Sequence, residues 1–231
     1  MPESVSYLPK RRPAATKTRL IEAGVRLFTR QAGKGLTIRE LAREAKVNHA
    51  LISYHFGGVS ELMVEIVDRC IHDLRALFAP QVEKFEQQVR GAAPDGISPL
   101  LHEHMRQLFD ILAGPQGMAL LQAFGNPDSA ALRGVYGLFS EQVLQPLHHS
   151  FAVAAAKVRG IDERSLEAAV LAQCMTAQCM AFFRGARPVL AHLDKREFTP
   201  EDREEISRIV AESPSKTAGA GLPECGPGVD S

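Results

Sequence analysis

The stretch from Thr37 to Phe56, TIRELAREAKVNHALISYHF, leaves this chain few folds to choose from. Thr37 and Glu40 form a T-x-x-E capping box, the pairing that satisfies free N–H groups at a helix start. Ile38, Leu41, Ala42 and Ala45 then recur at helical spacing and make one apolar face. Lys46-Val47-Asn48 breaks that helix, and Asn48 is a good N-cap for a second one running to about Tyr54 or His55. Val47, Ile52 and Phe56 turn inward, and small Ala50 allows close approach to the first helix. His49, Leu51, Ser53 and Tyr54 are left largely outside. Two short helices on such a turn form a helix-turn-helix, whose second helix enters the DNA major groove.

The segment AREAKVNHALISYHFGGVSEL resembles the DNA-binding signature of TetR-type (tetracycline-repressor-like) transcriptional regulators. The match is in register from about Thr16 to Leu62. It implies an all-α chain with an N-terminal three-helix DNA-binding domain and a helical ligand-binding and dimerisation domain. It also implies a homodimer on a palindromic operator, most often a repressor released by a small molecule, with no cofactor. Three positions depart from the family pattern. Lys46 stands where glycine is common and would carry strain in a left-handed turn. Ser53 replaces a common tyrosine, and Val59 a common lysine.

Composition agrees with that reading once it is resolved along the chain. Hydrophobic residues make up 45% and charged residues 23% of 231, ordinary for a soluble globular protein with a sizeable core. Net charge is zero, yet residues 1–65 carry eleven Lys and Arg against six acids. The remainder carries 16 against 21, so a basic module precedes an acidic body, as a DNA-binding head requires. The four cysteines have no metal-ligand spacing and read as reduced, mostly buried thiols of a cytoplasmic protein. The start, MPESVSYLPKRRP, has no apolar core and does not read as a signal peptide, and no apolar run has membrane-spanning length.

The expected organisation is a flexible basic arm over 1–15, a helix-turn-helix domain over 16–60, a helical ligand and dimerisation domain over 61–211, and a disordered tail over 212–231. The arm holds Lys10-Arg11-Arg12 and is either a solvated tail or a strand that touches phosphates or the minor groove. Thr16 to about Gln31 is the first helix, ended by Ala32-Gly33-Lys34-Gly35. Ser60 caps a long helix through about Ala79, with Pro80 as its end or a kink, and Gln81 to Arg90 continues it. Further helices start at Ser98-Pro99, Met118, Asn126-Pro127-Asp128 (bent at Pro146), Asp162, Arg187 and Thr199. AQCMAFFRGARPVL and EFTPEDREEI are similar to the end of the ligand domain in a TetR branch often labelled CerR-like.

The resemblance places dimer contacts on the helices about Ser129–Lys157 and Asp162–Arg184. There Ala168, Ala169, Ala172 and Ala177 permit close approach, either to a second subunit or within one. On the DNA side, Arg39 can reach a base edge or phosphate, and His49 can hydrogen-bond a base. Leu51 suits a thymine methyl or the core. Thr37 can give its N–H or hydroxyl to a phosphate. By family match Ser53, Tyr54 and His55 contact phosphate or bases, His55 packing inside as the alternative. Asn48 and Ala50 complete the set. His104, Met105, Leu108, Phe109, Met118, Leu121, Phe124, Cys174, Gln178, Phe182 and Arg184 are either an apolar ligand cavity with a few polar groups or simply core.

Enzyme chemistry has no support. His102-x-His104 and His148-His149 do not share helix faces, and no phosphate loop, nucleophile elbow or dinucleotide fingerprint occurs. Two readings compete with a ligand-released repressor: a TetR-like activator, and a helical protein-interaction module that no longer binds DNA.

Overall fold

The computed structural model describes residues 13–124, 132–184 and 186–196, together with 198–199, 201–202, 204–206 and 208–209; of the side chains at 13, 133, 179, 182–184 and 186–187 nothing is said. Every regular element among the described residues is helical. In chain order these are α1 (Pro13–Arg30), α2 (Ile38–Ala45), α3 (Ala50–Phe56), α4 (Val59–Gly91), α5 (Ile97–Ala113), α6 (Pro115–Phe124), α7 (Arg133–Phe139), α8 (Gln145–Arg159), α9 (Leu166–Arg184) and α10 (Ala186–His192). The arm at 1–12, the helix start at Asn126-Pro127-Asp128 and the tail at 212–231 lie outside the described residues. The fold is the all-α one expected, a three-helix head on a helical body.

The spine is α4. Its 33 residues pack α1 and α3 at one end and α5, α6, α7 and α8 along the rest. Of the two roles expected of Pro80, it does not end the helix, which is continuous from Val59 to Gly91. A helical proline costs about 3 kcal/mol, largely through the lost hydrogen bond to the carbonyl four residues back. Here both Pro80 and Ala76 are exposed, so water can take that carbonyl, while Phe78, Val82 and Phe85 are buried on the opposite side. Ser60 does not cap this helix; α4 starts at Val59 with no side-chain cap.

Other boundaries shift too. Among the described residues α1 already runs from Pro13, ahead of the start expected at Thr16. α5 starts at Ile97, which is buried, after a 3₁₀ turn at Pro94–Gly96, and α6 starts at Pro115. α7 and α8 are one rod interrupted by a π-helical turn, Ser140–Leu144. Pro146 follows directly and cannot donate back to Gln142, so the ladder loosens there. Asp162 accepts the Arg164 N–H at 2.8 Å, but it is Ser165 that caps α9, accepting the Ala168 N–H at 3.2 Å.

The body core fills the middle of the bundle. His104 sits inside it, 2% exposed, stacked on Phe85 with ring centroids 3.9 Å apart and edge-on to Phe151. Burial pushes its imidazole down to about 3. Ser150 gives its hydroxyl to the Leu147 carbonyl and accepts at 3.5 Å from His104 Nε2, leaving Nδ1 without a partner. Ala168 and Ala172 are buried within the subunit, where α9 packs on α8, the second of the two placements the sequence left open for them. Cys70 is buried as expected, whereas Cys174 is exposed.

Candidate nucleic-acid interface

The head is held together by the pattern read from its sequence. Leu20, Ala23, Leu27 and Phe28 of α1 meet Leu41, Ala42 and Ala45 of α2, Ile52 of α3 and Leu62 and Ile66 of α4, all buried. Gly24 permits this, because a Cβ there would collide with the Ile66 side chain. The capping box is complete: Glu40 takes the Thr37 N–H at 2.9 Å and the Thr37 hydroxyl at 2.6 Å, while Thr37 Oγ1 accepts the Glu40 N–H at 3.3 Å. The Thr37 hydroxyl and amide hold the Glu40 carboxyl below its usual range. Both groups expected to meet a phosphate through Thr37 are therefore already occupied.

Between α2 and α3 the chain turns through Lys46, which is left-handed at φ 54° and ψ 49°. Its N–H returns to the Ala42 and Arg43 carbonyls, and the Val47 N–H to Ala42 at 3.0 Å. For a residue with a Cβ this conformation costs roughly 1–2 kcal/mol. The strain anticipated from the sequence is present. Asn48 accepts the Ala50 N–H on its side chain at 2.9 Å, but the residue at the cap position of α3 is His49, which makes no side-chain cap bond, so the cap expected at Asn48 falls one residue early.

On α3, Ile52 is fully buried and Phe56 half-buried, facing the head core. His49, Ala50, Ser53 and Tyr54 are exposed, Tyr54 at 77%. Ala50 thus points away from the first helix of the pair, contrary to the packing role expected for it. Leu51 and His55 lie half-buried on the flank. They line a cleft of about 370 Å³ with Thr16, Arg19, Lys46, Val47 and Tyr54. Arg39, Asn48 and Thr37 are also exposed.

The basic residues of the head divide into two sets. Lys17 pairs with Glu65 at 2.8 Å and lies over the Phe56 ring, and Arg26 and Arg30 both reach Glu44. Arg19 donates to the Ala45 carbonyl at 2.6 Å, capping the end of α2. Lys46 has no carboxylate partner among the described residues. Sequence reasoning assigned no role to Thr16, Arg19 or the cleft, since only the fold brings α1 beside the α2–α3 turn.

The family model for bacterial regulatory proteins of the TetR family matches residues 20–66, which cover this head. The dual regulator CecR of Shigella flexneri is 26% identical over 196 residues, 84% of this chain and 87% of its own. The chain is a TetR-type transcriptional regulator. The fold is shared with solved TetR-family proteins. One is a Mesorhizobium loti regulator at 17% identity and a TM-score of 0.58, covering 90% of this chain and 97% of that one. Another is FadR of Bacillus subtilis, solved with stearoyl-CoA, at 14% identity, a TM-score of 0.54, and 88% and 99% coverage. As a TetR-type regulator the chain binds DNA through the head described above. Among the described residues, no single helix is long and apolar enough to cross a membrane.

The body residues read as either a ligand cavity or core divide, among the described residues, between core and surface. Met105, Leu108 and Leu121 are core, and His104 is enclosed by aromatic rings. Phe124 packs with Tyr136 and Phe139, and Gln178 is half-buried. Cys174 lies on the outer face of α9, and the Phe182 and Arg184 side chains lie outside the described residues. Phe109 alone of that set borders a larger cleft, of about 790 Å³, between α5 and residues 201–208. Apart from Cys174, the residues of this set with described side chains lie on inward or half-buried faces of α5, α6 and α9, and such faces serve core and pocket alike.

Proposed function

We propose that this chain is a homodimeric repressor that a small molecule releases from a palindromic operator. The observation that carries the dimer is the outer face of α9. Leu166 is 81% and Val170 52% exposed, and Gln173, Cys174, Ala177 and Ala181 continue the same stripe, all exposed. The stripe carries no charge and is symmetric about the midpoint between Gln173 and Cys174. A two-fold crossing there places Leu166 against the partner's Ala181 and Val170 against the partner's Ala177, large on small. Such an isologous contact is what a palindromic site demands.

On DNA, His49 and Ser53 face the bases, with Leu51 toward a thymine methyl, while Arg39, Tyr54 and His55 meet the backbone. Asn48 and Ala50 set the start of α3. Thr37 joins them once Glu40 lets go of it. Release follows from population shift: a ligand that binds one spacing of the two heads better depletes the other. The orphan His104 Nδ1 in the middle of the body supports a ligand there, since a donor from a small molecule would satisfy it.

The similarity to CecR runs along most of both chains. Because that relative is named a dual regulator, activation at some promoters is the second reading. Sedimentation of Val170→Arg tests the dimer: a helical monomer with collapsed operator affinity is expected, and a persistent dimer places the interface elsewhere. A reporter behind a bound operator separates the two modes. Loss of the gene raises expression for a repressor and lowers it for an activator.

A further inference from the structure

Lys46 is an expensive residue for its place. The α2–α3 turn needs a left-handed backbone, fixed by the hydrogen bonds of Lys46 and Val47 back to Ala42 and Arg43, and glycine would meet that need without strain. Its side chain is exposed and has no acidic partner among the described residues, unlike Lys17, Arg26 and Arg30. It stands at the cleft beside α3 with Arg19, Tyr54, His55 and the buried Thr16, and no carboxylate lines that cleft. Two permanent cations, an imidazole and two hydroxyls around one opening are the chemistry of an oxyanion site.

From this we infer that the cleft is a phosphate site for the DNA backbone, with Lys46 as its principal cation. The inference rests on α3 entering the major groove. A phosphodiester flanking that groove then accepts from Lys46 Nζ and the Tyr54 hydroxyl. Arg19, held in place by its bond to the Ala45 carbonyl, adds positive potential. The contact carries no base preference; it fixes how deeply and at what angle α3 enters. The backbone strain at Lys46 is then the counterpart of a bond made only on DNA.

The test is a salt series of full-length chain on a random-sequence duplex, for wild type, Lys46→Gly and Lys46→Arg. Each phosphate contact contributes a slope of about −0.9 to log affinity against log salt. Lys46→Gly should flatten the slope by about 0.9 per head and yet unfold at higher denaturant than wild type, while Lys46→Arg keeps the wild-type slope. An unchanged slope in Lys46→Gly, a lower unfolding midpoint for it, or a slope loss shared by Lys46→Arg would overturn the site. Inorganic phosphate is the second arm. If it raises the unfolding midpoint of wild type but not of Lys46→Gly while the DNA slope stays fixed, the cleft takes free anions and the DNA assignment fails. A wild type that binds no duplex at any salt would instead overturn the DNA-binding reading on which the site depends.

Discussion

Gly33, in the loop after α1, lies against the backbone of Ala119 in α6. A Cβ on Gly33 would stand 2.9 Å from the Ala119 carbonyl carbon and 3.1 Å from the Ala123 nitrogen, and its φ is +77°. The head therefore meets the body through this loop and through α1 against α6, as well as through the α4 spine. Any displacement of α6 presses directly on the loop that leads into α2.

Gly33→Ala meets both obstacles, the left-handed backbone and the α6 backbone. It should lower stability by about 1–3 kcal/mol. The adjacent Ala32 is exposed and also left-handed, at φ 50°, but Ala32→Gly relieves strain and should raise stability or leave it unchanged. Urea unfolding of both variants checks the pair. Equal stability of Gly33→Ala and wild type would mean that the loop and α6 do not bear on each other.

Glu40 occupies the N–H and hydroxyl of Thr37 on the side offered to DNA. Glu40→Gln removes a half-buried negative charge there. Affinity for duplex DNA at low salt should rise about fivefold, the equivalent of ~1 kcal/mol for one like charge near a phosphate. Thr37→Ala loses the cap and should cost about 1 kcal/mol of stability. Anisotropy titrations and denaturant midpoints read the two effects. Unchanged or weaker DNA binding by Glu40→Gln would place the α2 start away from the backbone.

His104 makes the fold sensitive to acid. Its folded value is pushed down to about 3 by burial, from an ordinary 6.5. Above pH 6.5 the ring is neutral in both states and nothing is lost. As pH falls from 6.5 toward 3, only the unfolded chain takes the proton, so stability drains away over that window. The loss should be about 2 kcal/mol between pH 7 and pH 5. His104→Leu should remove that part of the pH dependence. Urea unfolding of wild type and variant at the two pH values measures it; parallel losses in both would assign the dependence to other groups.

His49 is exposed at the start of α3. His49→Ala should relax base preference more than it weakens sequence-independent binding. Titrations on a selected and a scrambled duplex compare the two, and an equal loss on both would remove His49 from the base readers.

The head was legible in the sequence because its signals are local. The Thr37–Glu40 box, the helix start near Asn48 and the left-handed Lys46 each depend on neighbours within a few residues. Pro80 left an end and a kink both open, because spacing cannot show that the carbonyl it frees, on exposed Ala76, can turn to water. Ala172 and Val170 are both apolar residues of α9. Which of them faces α8 and which faces outward is set by a packing partner distant in the chain. The same holds for His104, where a core histidine and a ligand contact share one pattern. The contact of Gly33 with Ala119 joins two elements some ninety residues apart and left only a glycine as its trace.

A homodimeric regulator requires two copies of α3 to read one symmetric DNA site. Selection of bound sequences from a random duplex library by the full-length chain measures that directly. The predicted result is a two-fold symmetric consensus, its half-sites spaced so that the two reading helices lie in major grooves on one face of the duplex. An asymmetric single half-site, or no enrichment over the input library, would contradict it.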